Sequence, residues 1–156
     1  MSKKSDEQTT PRWVFDGLTD IFCFNLDAAA TKENALCKMY YDQHSNGLES
    51  RWGSSTWCNP PYSRGQVIQW VSKAADEYLW HENSSLLLLQ GDISTKWFRK
   101  AHDTCRAMFG LGKRLKFNGA KDCAKFGSIF VLYGYNKTKF KALEKNFDGV
   151  WLKKYE

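Results

Sequence analysis

Hydrophobic and polar positions follow two distinct patterns along the chain. One is a set of apolar residues at spacings of one, three and four, which predicts an amphipathic helix: Val67, Ile68, Val71, Ala74, Ala75 and Tyr78. The other is the short apolar run of residues 86–90 (LLLLQ), which lies between polar segments and is typical of a buried strand. We therefore expect helices and strands to alternate.

Further elements are predicted on both sides of these two. Strands are expected at residues 21–26, 55–58, 107–111, 114–117 and 128–133. Residues 31–53 are expected to form a short helix or strand that runs into a long loop. Alternation without a long structureless gap favours a three-layer α/β domain.

Two more helices complete the expected fold. Thr10 before Pro11 is typical of an N-cap followed by proline at the first helical position. The next helix is expected to start near Asp92 and to carry Trp97 and Phe98.

At 156 residues the chain is expected to form one domain, with too little length for a separate recognition domain. We expect a flexible tail at residues 1–9 and the main domain at residues 10–135. A basic extension at residues 136–156 is expected to pack on the same domain, as a closing helix or a phosphate-contacting arm. Any element that reads a target must then be a loop.

The composition indicates a cytoplasmic protein that meets a polyanion. The 23 Lys and Arg residues exceed the 17 Asp and Glu residues, for a formal net charge of +6. The five cysteines form no C-x-x-C pair and the three histidines fall in no metal-binding pattern, so we expect no disulfide framework and no metal. There is no apolar run of about 18 residues, so we expect a soluble protein without a membrane partner.

The segment Asn59-Pro60-Pro61-Tyr62 holds the most informative chemistry. Pro61 lacks an N–H and biases Pro60 away from helical geometry, so the segment is stiff and extended. The Asn59 amide oxygen and the prolyl carbonyls can accept both hydrogens of an aromatic NH2 group, and Tyr62 offers a ring for stacking. At a strand-to-helix junction this combination indicates a site for a planar amine. A proline-stiffened turn is the structural alternative.

With its neighbours, this segment resembles the phage and prophage type of the N6-adenine DNA methyltransferases, whose signature is Asp/Asn-Pro-Pro-Tyr. Five segments match in order between about Thr10 and Tyr133: TPRWVFDGL at residues 10–18, LDAAA at 26–30 with Asn34-Ala35, WCNPPYS at 57–63, TKWF at 95–98 and FGS at 126–128. The resemblance implies a compact S-adenosylmethionine-dependent methyltransferase-like (Rossmann-like) domain with a mostly parallel central sheet.

The resemblance also implies an activity and its residues. Methyl transfer from S-adenosylmethionine to N6 of a flipped-out adenine in double-stranded DNA is the expected reaction. The implied catalytic residues are Asn59, Pro60, Pro61 and Tyr62. The implied cofactor-binding residues are Thr10, Pro11, Phe15, Asp27, Ala28, Ala29, Asn46, Asn59 and Pro60. The Asp27 carboxylate is expected either to meet the cofactor's ammonium group or to act as an N-cap.

Contacts to DNA are expected from a third set of residues: Ser63, Arg64, Lys96, Trp97, Lys113, Arg114, Lys116 and Lys121. Trp97 is equally typical of a core residue. The cations of residues 113–125 are also typical of the polar face of a hairpin.

Two other functions remain open at this point. One is a protein that keeps the methyltransferase scaffold without catalysis and binds DNA as a decoy or regulator. The same chemistry also suits RNA or a protein glutamine amide, because an NH2 on a planar carbon is all that the motif requires. We expect a monomer or weak dimer, located in the host cytoplasm if a phage encodes it.

Overall fold

Within residues 9–63 and 65–156, which the computed structural model describes, six strands form one sheet and four helices cover its faces. The elements in chain order are α1 (Arg12–Phe22), β1 (Leu26–Asp27), β2 (Ser55–Cys58), α2 (Val67–His81), β3 (Ser84–Gln90), α3 (Lys96–Thr104), β4 (Ala107–Leu111), β5 (Ser128–Tyr133), α4 (Lys137–Asn146) and β6 (Gly149–Lys153). The helices of this described part are all too short and too polar to cross a membrane.

Two hydrophobic clusters, one on each face of the sheet, hold three layers together. On one face α1 and α4 pack against the strands through side chains such as Leu18 and Phe140. On the other face α2 and α3 contribute Val71 and Ala101. The four leucines of residues 86–89 point alternately into the two clusters, as side chains on a strand must. The predicted three-layer α/β architecture is therefore confirmed.

The strand order is β1-β2-β3-β5-β4-β6. β1, β2 and β3 pair in parallel, whereas the β3–β5, β5–β4 and β4–β6 pairs are antiparallel. The expectation of a mostly parallel sheet is therefore wrong, since three of the five pairings are antiparallel. A parallel return requires a crossover, usually helical, and residues 112–127 connect β4 to β5 without a helix.

The first predicted strand, at residues 21–26, is wrong over most of its length. α1 continues through Phe22 and ends at Cys23, which takes a left-handed conformation with φ of 53°. β1 is confined to Leu26–Asp27. Phe22 lies eight residues after Val14 on the buried stripe of α1, so its apolar character reflects helical rather than extended packing.

The start of α1 also differs from the prediction. The helix begins at Arg12, and Pro11 rather than Thr10 occupies the N-cap position, without a side-chain cap hydrogen bond. The N-cap role predicted for Thr10 is wrong because its hydroxyl oxygen accepts a hydrogen bond from Asn59 Nδ2, at 3.0 Å.

Two further segments depart from the predicted elements. Residues 114–117 are not a strand, because Leu115 and Phe117 are buried within an irregular loop instead of pairing along a ladder. The C-terminal extension contains the expected closing helix, α4, and also β6, the outer strand of the sheet, which was not predicted. Residues 1–8 of the expected tail lie outside the described residues.

One edge of the sheet gathers most of the predicted site. β4 runs in the same direction as β3, since both are antiparallel to β5, so the carboxyl ends of β1 to β4 lie together. We call this the carboxyl edge. It comprises residues 28–30, 59–63, 91–95 and 112–127. Ligand sites of open α/β sheets cluster at such an edge.

A loop formed by residues 42–50 closes over the carboxyl end of β1. A Cβ atom on Gly47 would clash with the carbonyl oxygen of Ala28 and come within 3.0 Å of the Trp70 ring. Trp52 Nε1 donates to the Gly47 carbonyl at 2.7 Å, which holds the loop down. Only glycine allows this close approach beside β1.

Replacing Gly47 with alanine should therefore destabilise the protein. We expect the free energy of unfolding to fall by about 1–3 kcal/mol, the usual effect of overpacking. Gly127→Ala is the matched control, because its Cβ would meet no atom within 4 Å, and we expect a change below about 0.5 kcal/mol. Urea denaturation of the two variants and wild type measures this, and equal effects would contradict the packing of Gly47 on Ala28.

Candidate active site

The segment Asn59-Pro60-Pro61-Tyr62 begins directly after β2, which ends at Cys58. Asn59 Nδ2 donates to Thr10 Oγ1 at 3.0 Å. The Tyr62 hydroxyl lies 2.5 Å from the carbonyl oxygen of Leu88 and 3.1 Å from Asn59 Oδ1. The segment is thus held between the start of α1 and the neighbouring strand β3.

The hydroxyl of Tyr62 acts as an internal anchor. Burial, and secondarily the nearby Cys58 sulfur, raises the pKa of Tyr62, so the phenol stays neutral and donates its hydrogen. That hydrogen faces two acceptors, of which the Leu88 carbonyl is the nearer. The ring is half-buried against the cluster under α2 and α3. Its orientation is therefore fixed by β3.

Thr10 connects this segment to the loop of residues 112–127. Thr10 is buried, and its carbonyl oxygen accepts from Asn118 Nδ2 at 3.3 Å. The backbone N–H of Asn118 donates to the Thr9 carbonyl at 3.0 Å. Thr10 is 49 residues from Asn59 and 108 from Asn118 in sequence. No local pattern therefore identifies Asn118, or Leu88, as part of the site.

Asp27 places a buried carboxylate at the end of β1. Only 3% of its surface is exposed. Its two oxygens accept from the backbone N–H groups of Leu36, at 3.1 Å, and Ala29, at 3.4 Å. Burial raises the pKa of Asp27 to about 6, against the opposing effect of these two hydrogen bonds. No helix begins between Asp27 and β2, so the carboxylate caps a turn and not a helix.

Residues 9–63 and 65–156 form no ion pair with the Asp27 carboxylate. Burial, and secondarily the charge of Asp27, raises the pKa values of the Cys37 and Cys58 thiols. Cys58 is fully buried and stays protonated, so it packs and does not act as a nucleophile. In the described part of the chain no group of three or more His, Cys, Asp or Glu side chains is arranged to hold a metal ion.

The Asp27 carboxylate suits S-adenosylmethionine, the cofactor that the resemblance implies. A buried carboxylate without a cationic partner is matched chemically to the ammonium group of the cofactor. Ala28 and Ala29 continue from Asp27, and Ala28 is fully buried. Asn46 lies in the loop over β1, with a left-handed φ of 48°, and its Oδ1 accepts from Leu48 N at 3.1 Å.

The other residues predicted to bind the cofactor lie at the start of α1. Pro11 is buried beside Thr10. Phe15 is also buried, with its ring centroid 5.7 Å from those of Trp57 and Phe24. Phe15 thus belongs to the cluster under α1, one helical turn below the carboxyl edge.

Most residues predicted to contact DNA are exposed along the same edge. Lys96, the first residue of α3, is exposed, and Trp97 is half-buried against the cluster under α2 and α3. Exposed cations of the 112–127 loop are Lys113, Arg114, Lys116 and Lys121. Lys113 Nζ lies 4.9 Å from the ring centroid of Trp13. Ser63 follows Tyr62 and its carbonyl accepts from Gln66 N, whereas Arg64 lies outside the described residues.

Comparison with known proteins finds a matching family and two related phage proteins. Residues 1–146 match the family model described as DNA N-6-adenine-methyltransferase (Dam). The chain is 40% identical over 99 residues to the DNA N-6-adenine-methyltransferase of Escherichia phage T1, covering 62% of this chain and 40% of that protein. It is 36% identical over 102 residues to the DNA N-6-adenine-methyltransferase of Haemophilus phage HP1 (strain HP1c1), covering 62% of this chain and 58% of that protein.

The chain therefore spans less than two thirds of the length of either phage relative. The family model, in contrast, covers most of this chain and includes every segment of the carboxyl edge. The chain belongs to the DNA N-6-adenine-methyltransferase (Dam) family.

Proposed function

We propose that the chain is an adenine-specific DNA methyltransferase that uses S-adenosylmethionine to methylate N6 of a flipped-out adenine in double-stranded DNA. The proposal rests on one observation: the Asn59 amide is held in place directly after β2, and the buried Asp27 carboxylate lies on the neighbouring strand β1. One group suits the target amine and the other suits the cofactor's ammonium. Membership in the family supports both assignments.

Asn59 and the prolyl carbonyls are the proposed acceptors for the adenine amino group. No residue in the described part of the chain donates a hydrogen bond to the carbonyl oxygens of Pro60 and Pro61. Accepting the two N6 hydrogens concentrates electron density on that nitrogen and directs its lone pair toward the donor. When bound, S-adenosylmethionine supplies the electrophilic methyl group. The new N6–C bond would form as the C–S bond to the transferred methyl group breaks, the neutral thioether would leave, and N6 would release one proton to solvent.

Tyr62 is proposed to stack on the flipped adenine. Its hydroxyl is engaged by Leu88 and Asn59, which leaves the half-buried ring as its contribution to binding. Stacking of a base on an aromatic ring is worth about 1–3 kcal/mol, which offsets part of the few kcal/mol needed to extrude the base.

The cations of the 112–127 loop, with Lys96, are proposed to hold the DNA backbone. They are exposed at the edge where the adenine must enter. Asn118 ties this loop to Thr10, and Thr10 is bonded to Asn59. Phosphates bound here therefore lie next to the catalytic amide, and binding should weaken steeply with salt.

Substitutions in the motif test the target side. We expect Asn59→Ala to lower kcat by about 100-fold or more, as loss of a preorganised polar group does. Tyr62→Phe keeps the ring but loses the hydroxyl bonds, so we expect about a 10-fold loss. Tyr62→Ala loses ring and anchor together and should lose about 100-fold or more. Transfer of label from S-adenosylmethionine to duplex DNA measures each rate.

Tyr78→Phe is the control, since Tyr78 is exposed on α2, near the edge opposite the site. Its rate should equal that of wild type, and circular dichroism should show every variant folded. A wild-type protein that binds the cofactor but labels no adenine in any DNA sequence would rule out the proposal. Label on RNA or on a glutamine amide instead would redirect it to those substrates.

Calorimetry distinguishes the enzyme from a DNA-binding protein that lacks catalysis. The enzyme should release or absorb heat with S-adenosylmethionine alone and should bind DNA with salt-dependent affinity. A protein that binds DNA in this way but gives no heat with the cofactor would be the decoy or regulator.

Asp27 gives a pH dependence to stability. Its carboxyl group titrates near 3.8 in the unfolded chain and near 6 in the folded protein. Between these pH values the folded protein binds more protons, so stability falls as pH rises and levels off above about 6. We expect the unfolding free energy of wild type, minus that of Asp27→Asn, to decrease by up to about 3 kcal/mol from pH 4 to pH 7. Other groups cancel in this difference, and a flat or rising difference would contradict the shift.

The same carboxylate should make cofactor binding depend on pH. Because the ionised form is required to attract an ammonium group, we expect wild-type affinity for S-adenosylmethionine to increase from pH 5 to pH 7. Asp27→Asn should bind more weakly, with little change over this range. Titration calorimetry at several pH values measures both, and equal affinities for the two proteins would remove Asp27 from the cofactor site.

A further inference from the structure

Ile93 is the most exposed large apolar side chain in the part of the chain that the structure describes, with 76% of its surface open to solvent. It lies in the turn of residues 91–95, between β3 and α3, at the carboxyl edge. A single exposed apolar residue is common on protein surfaces. The rigidity of its turn and the character of its neighbours distinguish this one.

The turn that carries Ile93 is held by several hydrogen bonds. Asp92 Oδ1 accepts from the backbone N–H of Ser94, at 3.0 Å, and from its hydroxyl, at 2.6 Å. Thr95 Oγ1 donates to the Asp92 carbonyl at 2.8 Å and accepts from Phe98 N at 3.2 Å, which caps α3. Ile93 is therefore presented to solvent by a preorganised backbone.

The neighbours of Ile93 combine apolar surface with charges of both signs, since Asp92 precedes Ile93 and Asp103 lines the same groove. Gly91 N donates to the Gly127 carbonyl at 2.7 Å, which joins this turn to the 112–127 loop. Phe126, next to Gly127, is 45% exposed. Lys96 is exposed three residues after Ile93, and Arg99 lines the same open groove as Ile93.

The turn is also close to the proposed target site. Tyr62 donates to the carbonyl of Leu88 on β3, and the same strand ends at Gln90, just before this turn. DNA that delivers an adenine to Tyr62 and lies on the cations of the 112–127 loop must pass over the end of β3. Ile93 projects from that end.

We propose that Ile93 inserts into the DNA beside the target adenine and occupies the space that the flipped base leaves in the stack. This inference rests on the proposed function. Extruding a base leaves a gap whose walls are the faces of the neighbouring bases, and aliphatic side chains serve as wedges between such faces. The rigid turn reduces the entropy lost on insertion. The nearby cations neutralise the flanking phosphates.

A comparison of paired and unpaired targets tests this role. The adenines that wild type methylates in genomic DNA are first mapped by sequencing. One duplex then carries such a site with the adenine paired to thymine, and a second is identical except for an abasic position opposite the adenine. We expect Ile93→Ser to lower kcat/KM by about 10- to 100-fold on the paired duplex. On the duplex with the unpaired adenine, extruding the base costs least, so we expect Ile93→Ser to lower kcat/KM by less than about 3-fold.

Two further variants complete the design. Ile93→Leu should retain nearly wild-type rates, because it keeps an aliphatic side chain of the same size. Leu79→Ser is the matched control, since Leu79 is 69% exposed near the end of α2, at the opposite edge of the sheet. Leu79→Ser should leave kcat/KM unchanged on both the paired and the unpaired duplex. With 2-aminopurine in place of the target adenine, wild type should increase the fluorescence by unstacking the base, and Ile93→Ser should increase it less.

The outcomes separate this inference from the proposed function. If wild type methylates DNA but Ile93→Ser loses equally on both duplexes, or loses on neither, the insertion of Ile93 is overturned and the proposed function stands. A wild type that methylates no duplex overturns the proposed function and the insertion together.

Discussion

Parallel pairing of β1, β2 and β3 is the constraint on which the candidate site depends. Parallel strands end at the same edge, so Asp27, the Asn59–Tyr62 segment and the Ile93 turn lie side by side although long stretches of chain separate them. Register also matters. Asp27 pairs with Trp57, which places the carboxylate level with the last residues before the motif. A shift by one residue would turn the Asp27 side chain to the other face of the sheet.

The antiparallel half of the sheet positions the loop of residues 112–127, which is proposed to contact DNA. β5 returns next to β3 in the opposite direction, so it starts at the edge where β3 ends. The connection from β4 to β5 therefore begins and ends at the carboxyl edge, and all of residues 112–127 remain there. In a sheet with parallel β4 and β5 this segment would instead have to cross to the opposite edge. The same loop reaches Thr10 through Asn118, which links the proposed phosphate contacts to the amide of Asn59.

The sequence predicted those features that follow from local chemistry. The stiffness of the two prolines, the amphipathic stripe of α2 and the leucine run of β3 each depend on adjacent residues, and each element lies where its pattern indicates. Local sequence could not decide whether residues 21–26 form a helix or a strand, because a short apolar run is compatible with both until its packing is known. Phe22 belongs to α1 because the helix buries it, a tertiary effect.

The partners of the motif were beyond sequence reasoning for a related reason. Thr10, Leu88 and Asn118 act through a hydroxyl, a backbone carbonyl and an amide, groups that occur throughout any chain and acquire a role only through the fold. Asp27, in contrast, was predicted from the family resemblance and its place after an expected strand, although the strand proved much shorter than expected. The raised pKa of its carboxyl group depends on burial, which composition does not reveal.

Two features of the carboxyl edge are unfavourable in the free protein, and they lie on either side of the motif. Asp27 is a buried charge without a cation, and Ile93 is an apolar side chain fixed in water by a rigid turn. Selection for stability alone would favour removing both, since two backbone hydrogen bonds offset the burial of Asp27 only in part and the Ile93 side chain stays exposed. A ligand that binds only the folded state supplies partners for such groups, and it then stabilises the fold by its own binding energy. In the proposals made above, an ammonium group would pair with the Asp27 carboxylate. The apolar gap left by a flipped base would receive Ile93. These two features are therefore consistent with the proposal that two ligands meet at Asn59.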